Sequence, residues 1–70
     1  MNLYIINNVL FDYTSGMVVL AAESKEHARE LFIQQFDEHH ADDFDKFGEF
    51  TIIEDVNHDA GIIDYVYGGG

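Results

Sequence analysis

Two short apolar runs, Leu3-Tyr4-Ile5-Ile6 and Met17-Val18-Val19-Leu20-Ala21-Ala22, dominate the first third of the chain. Between them Asp12-Tyr13-Thr14-Ser15-Gly16 carries turn chemistry, so the pair predicts an antiparallel hairpin. Neither run alternates polar with apolar positions. That two-sided pattern belongs to strands in the middle of a sheet, or to strands with a second covered face. One helix cannot cover both faces, and the pattern therefore also points to self-association, with a homodimer as its simplest form.

Ser24 is a suitable N-cap, Glu26 suits a first turn, and Ala28, Leu31, Phe32 and Phe36 recur three and four apart. The spacing predicts a helix over 24–39, with Lys25, Arg29, Glu30, Gln34 and Glu38 on its other face. Phe44 and Phe47 are placed to anchor a short helical turn, leaving Asp42, Asp43 and Asp45 to solvent. Phe50 to Val56 and Gly61 to Tyr67 then predict a second hairpin around Asn57-His58-Asp59-Ala60. In it, Ile62, Asp64 and Val66 share one face and Ile63, Tyr65 and Tyr67 the other.

The expected fold is α+β in ββαββ order: a four-stranded, mainly antiparallel sheet with one helix packed on one face. It spans 1–67 as a single domain, and Gly68-Gly69-Gly70 is expected to fray. Strand 1 can lie beside strand 4 in parallel, as in a β-grasp, or the sheet can be plainly antiparallel.

At 70 residues, folding buries only about 60% of the surface that the unfolded chain exposes, so stability is expected to be modest. There is no cysteine, and hence neither a disulfide nor a thiolate metal site. The core must come from packing, for which 47% hydrophobic residues, with six Phe and four Tyr, are sufficient. No apolar run approaches the roughly 18 residues of a membrane span, and Met1-Asn2-Leu3-Tyr4 lacks the charge of a secretory start. A cytoplasmic location is the expectation.

Charge narrows the partners further. Against 14 carboxylates stand Lys25, Arg29 and Lys46, for a net charge of -11. Such a surface repels phosphate backbones and anionic lipids, which argues against direct binding to nucleic acid or membrane. It attracts basic protein surfaces, including the positively charged channels that hold nucleic acids.

The carboxylates concentrate in Asp37-Glu38-His39-His40-Ala41-Asp42-Asp43-Phe44-Asp45, five acids in nine residues with no Lys or Arg. Asp43 to Glu54 overlays a calcium loop at Asp43, Asp45, Gly48 and Glu54, but Phe47 stands where an oxygen ligand belongs. The segment reads as a charged loop. His39-His40 beside acids has metal-ligand chemistry, yet neighbouring residues on a helix do not face one way, and a polar helix end is the simpler reading. Thr14, Ser15, Ser24 and Thr51 sit in no nucleophile elbow and next to no histidine. No catalytic residue, metal or cofactor is assigned. The residues placed at a partner interface are Asp37, Glu38, Asp42, Asp43 and Asp45, with Phe44 and Glu49 as companions.

Two resemblances bear on function. Tyr67-Gly68-Gly69-Gly70 after this element order resembles the ubiquitin-like proteins in outline, which implies a modifier or carrier working through the Gly70 carboxylate. More of the chain resembles small acidic early proteins of bacteriophages and prophages. That likeness lies in Leu3-Tyr4-Ile5-Ile6-Asn7, in Val18-Val19-Leu20-Ala21-Ala22-Glu23-Ser24 followed by Ala28-Arg29-Glu30-Leu31, and in Gly61-Ile62-Ile63. Some of those proteins are anti-defence or anti-CRISPR inhibitors that occupy nucleic-acid sites as mimics. The resemblance implies a non-enzymatic inhibitor acting in a bacterial host.

Overall fold

The two-sided apolar runs become the two central strands of one sheet. The computed structural model describes residues 1–69, with strands β1 (Asn2–Asp12), β2 (Thr14–Ala22), β3 (Glu49–Ile53) and β4 (Gly61–Val66), and a helix α1 (Lys25–Phe36). The sheet order is β3-β1-β2-β4 and every neighbouring pair is antiparallel. The fold class is the predicted one: a four-stranded antiparallel sheet with a helix on one face.

The second hairpin does not form. β3 pairs with β1 from Leu3↔Ile53 to Asn7↔Glu49, and β4 pairs with β2, so the last two strands occupy opposite edges. Residues 54–60 cross the end of the sheet past the first residue, where the Val56 N–H donates to the Met1 carbonyl at 2.9 Å. Three strand spacings of about 4.8 Å are within reach of such a link. The reason lies in β1 and β2: strands apolar on both faces bury more when each has a neighbour on both sides. β1 adjoins β3 and β2 rather than β4, so the parallel pairing of a β-grasp is absent.

On the helix side, Tyr4, Ile6, Val18, Leu20 and Ala22 meet Ala28, Phe32 and Phe36 in one buried cluster. The Ser24 hydroxyl accepts the His27 N–H at 3.1 Å and caps the helix as its sequence predicts. The helix stops at Phe36, three residues before the predicted end. There Asp37 turns to φ 75°, its N–H still donating to the Ile33 carbonyl, and its carboxylate accepts the Glu38 N–H to start a tight turn over Glu38–His40. At φ 75° and ψ 155° this is backbone that glycine usually supplies, so the residue type at 37 does not announce the stop.

β1 is irregular beyond Asn7. Its partners slip from Met17 to Gly16 across Asn7 and Val9, and Asn8 and Leu10 take φ of 65° and 54°. These bulges bury Val9 and Leu10 consecutively, which regular alternation forbids. The hairpin bends at Tyr13, at φ 70°, which for a bulky residue costs on the order of 1 to 2 kcal/mol.

Gly16, read from sequence as part of the turn, is already in β2. A Cβ on it would overlap the Val66 carbonyl, so it is glycine for close approach rather than for bending. Two of the three glycines expected to fray are bonded here, and the third, Gly70, lies outside the described residues. Gly68 is buried against Thr14, its N–H donates to the Leu10 carbonyl at 3.0 Å, and Gly69 exchanges two hydrogen bonds with the Thr14 hydroxyl. In β4 the register slips between Leu20↔Ile62 and Val19↔Asp64. Ile62 and Tyr65 therefore face the helix together, and Asp64 and Val66 face away.

Candidate protein-binding surface

The acidic segment leaves the helix and packs back on β1 as a wide turn over Asp43–Phe47. Its hydrogen bonds span five residues, so residues three apart no longer share a face. Phe44 points inward and is 2% exposed, ring to ring with Phe32 at 5.2 Å and Phe50 at 5.0 Å. Phe47 points outward at 51% exposure, edge-on to Phe11 at 5.7 Å. Phe44 is thus a core residue and offers a partner nothing.

The carboxylates are divided in the same way. Asp43 does not face solvent: its Oδ2 sits 2.9 Å from His40 Nδ1 and accepts a long bond from the Phe11 N–H at 3.4 Å. Asp45 takes a two-pronged bond from Arg29, both contacts at 2.8 Å. Asp42 lies 3.5 Å from Lys46, and Asp37 caps the turn after the helix. Glu38 and Asp42 remain exposed on the helix layer, whereas Glu49, opposite Asn7 on β3, lies on the far side of the sheet. The seven residues assigned from sequence therefore do not form one surface.

All three cations are engaged within the molecule. Besides Arg29 with Asp45 and Lys46 with Asp42, the Lys25 ammonium lies 4.4 Å from the centre of the Phe50 ring. Among the described residues, the carboxylates other than Asp42, Asp43 and Asp45 make no ion pair. The hydrogen bond from Arg29 holds the Asp45 carboxyl below its ordinary value of 3.8, and raises Arg29 in turn. A depressed acid stabilises the fold above its unfolded pKa and loses that contribution as pH falls through the folded pKa. In an NMR pH titration Asp45 is expected to titrate below 3.8, and Arg29→Ala to return it upward. The stability effect should be slight, because the pair is solvent-exposed.

Among the described residues, no element packs on the sheet face opposite the helix. Leu3, Ile5, Met17 and Val19 form its apolar centre, with Ile53 and Val66 towards the edges and Glu49, Thr51 and Asp64 polar among them. At one end Asn7, Met17, Glu49 and Val66 line an open groove of about 320 Å³ that reaches Ser15 and Gly16.

Sequence reading missed a third feature, the aromatic group at the hairpin tip. Tyr13 is 94% exposed, next to Phe11 at 40%. The signal was an aromatic inside an otherwise polar turn, while Phe47 was hidden by the assumption of helical spacing. No group of His, Asp or Glu among the described residues is placed to hold a metal ion. The calcium-loop overlay is divided between the wide turn and β3. No described helix is long and apolar enough to cross a membrane. The Gly70 carboxylate, on which a carrier role would depend, lies outside the described residues. Comparison with protein-family models, with curated proteins and with solved structures returns no match for this chain.

Proposed function

We propose that the chain is a non-enzymatic binding protein that occupies a basic surface of another protein and thereby inhibits it. One observation carries the reading: every cation is engaged internally, and most carboxylates face solvent with no positive patch to compensate them. Lys and Arg groups that normally hold phosphates fit that field, so a nucleic-acid-binding channel of a processing or defence protein is the matching partner class. Of the seven residues, Asp37, Glu38, Asp42, Asp45 and Glu49 are exposed, with Asp37 engaged in capping the turn and Asp45 paired with Arg29, while Asp43 and Phe44 serve the fold.

The test is affinity capture from bacterial lysate, washed at low and then high salt, with mass spectrometry. The bait is the wild type beside a Glu38→Gln, Asp42→Asn, Glu49→Gln triple variant. A nucleic-acid-processing or defence protein is expected at low salt, lost at high salt, and bound about tenfold more weakly by the variant. A partner indifferent to both changes retires the proposal.

The uncovered sheet face favours a second reading, a module that associates with a second copy of itself. Its salt dependence is opposite. Two chains of net charge -11 repel, so apolar pairing strengthens as salt screens the repulsion. Sedimentation should then show a dimer growing with salt and abolished by Val19→Lys; a monomer at every salt concentration removes this reading.

A further inference from the structure

Tyr13 is the most exposed large hydrophobic side chain of the described residues, and its backbone adopts a conformation that turns normally reserve for Gly, Asn or Asp. Among the described residues its hydroxyl makes no hydrogen bond and its ring meets no other ring. Among the described residues the fold bears this strain without a hydrogen bond or ring contact in return. Strain without a structural return marks a site held for another purpose.

The surroundings are built to hold the tip still. On one side the Thr14 hydroxyl donates to the Gly69 carbonyl at 2.8 Å and accepts the Gly69 N–H at 2.9 Å, while the Gly68 N–H reaches the Leu10 carbonyl. On the other, the Asn8 amide donates to the Phe47 carbonyl at 3.0 Å, fixing the Phe47 ring edge-on to Phe11. A contact that is ordered before binding loses less entropy when it binds. The hairpin also reaches past β3, which begins opposite Asn7.

We propose that this tip is an anchor: Tyr13, two residues beyond the Phe11 ring that pairs with Phe47, enters an apolar pocket on a partner protein whose rim carries Lys or Arg. Aromatic side chains at the centre with charge around them is the common anatomy of a binding hot spot. Here the neighbouring charge is negative: Asp12 precedes Tyr13 in the chain, the Asp43 carboxylate accepts the Phe11 N–H, and Lys46 is turned to Asp42. A second copy would bring the same acids to that rim, so a basic partner is the occupant. The inference rests on the reading of the chain as a binder of basic protein surfaces.

The full chain tests it in two steps. Tyr13→Gly should hold or raise the melting temperature, by about 4 °C where the strain is fully relieved. A fall of several degrees would show that the ring serves the fold and would overturn the proposal. Next, a photo-crosslinking phenylalanine is placed at position 13 or, for comparison, at position 30 on the outer face of the helix, and irradiated in bacterial lysate. The expected result is one basic partner crosslinked from position 13. Once purified, it should bind Tyr13→Gly about tenfold more weakly than wild type and Tyr13→Phe nearly as well as wild type. A partner crosslinked only from position 30, or one that binds Tyr13→Gly normally, defeats the anchor and leaves the binder reading standing. No crosslink from either position defeats both.

Discussion

Phe44→Ala is expected to destabilise the domain by about 3 to 5 kcal/mol. Phe44 is 2% exposed and its ring meets those of Phe32 and Phe50, so truncation removes a whole buried side chain and opens a cavity bounded by aromatic rings. Such changes cost about 3 to 5 kcal/mol. A domain of 70 residues has a total stability on the order of 4 to 10 kcal/mol, so about a third or more of it is at stake. Urea denaturation of Phe44→Ala beside Phe47→Ala provides the check, because the two residues lie three apart on the same turn. Phe47 is half exposed, and its truncation should cost about 1 kcal/mol or less. Equal costs would mean that the turn winds as an ordinary helix and that the inward and outward assignments are wrong.

That pair also shows where the sequence was legible and where it was not. Residue type announced two aromatic anchors; their separation into core and surface depended on the winding of the turn, which spacing alone does not disclose. The first hairpin, the helix and its Ser24 cap were readable because each rests on local chemistry repeated over several residues. The placement of β3 and β4 was not, since antiparallel strands on opposite edges of a sheet have the same composition as a hairpin. A clue was present in the two-sided apolar character of β1 and β2: two central strands need four neighbours, and each supplies only one to the other.

The acidic segment was conspicuous for its composition, and composition does not say which charges are already engaged. Arg29 comes from the helix to meet Asp45, and His40 meets Asp43, contacts that depend on how the segment folds back. The aromatic tip was obscured for the opposite reason. Tyr13 sits among turn residues, and only its positive φ and full exposure separate it from an ordinary loop position.

Gly16→Ala should be the most damaging single methyl that can be added to this chain. The new Cβ would overlap the Val66 carbonyl and press on the backbone of Tyr67 and Gly68, and backbone atoms cannot move aside by changing rotamer. β2 and β4 must separate locally, although Met17↔Val66 pairing holds them together one residue away. Overpacking of this kind costs about 1 to 3 kcal/mol, and the upper end applies where two strands are forced apart. Gly68→Ala meets the Thr14 carbonyl just as closely, yet Gly68 and Gly69 lie outside the strands and can lift away, surrendering their bonds to Leu10 and Thr14. Its cost should therefore be smaller, about 1 kcal/mol for hydrogen bonds exchanged for water. Urea midpoints rank the two variants, and hydrogen exchange at Gly68 and Gly69 locates the change. Fast exchange at those amides in Gly68→Ala, with the rest of the sheet still protected, is the expected pattern. If Gly16→Ala melts like the wild type, the glycine tail does not brace the hairpin, and the rigid presentation of Tyr13 loses its support.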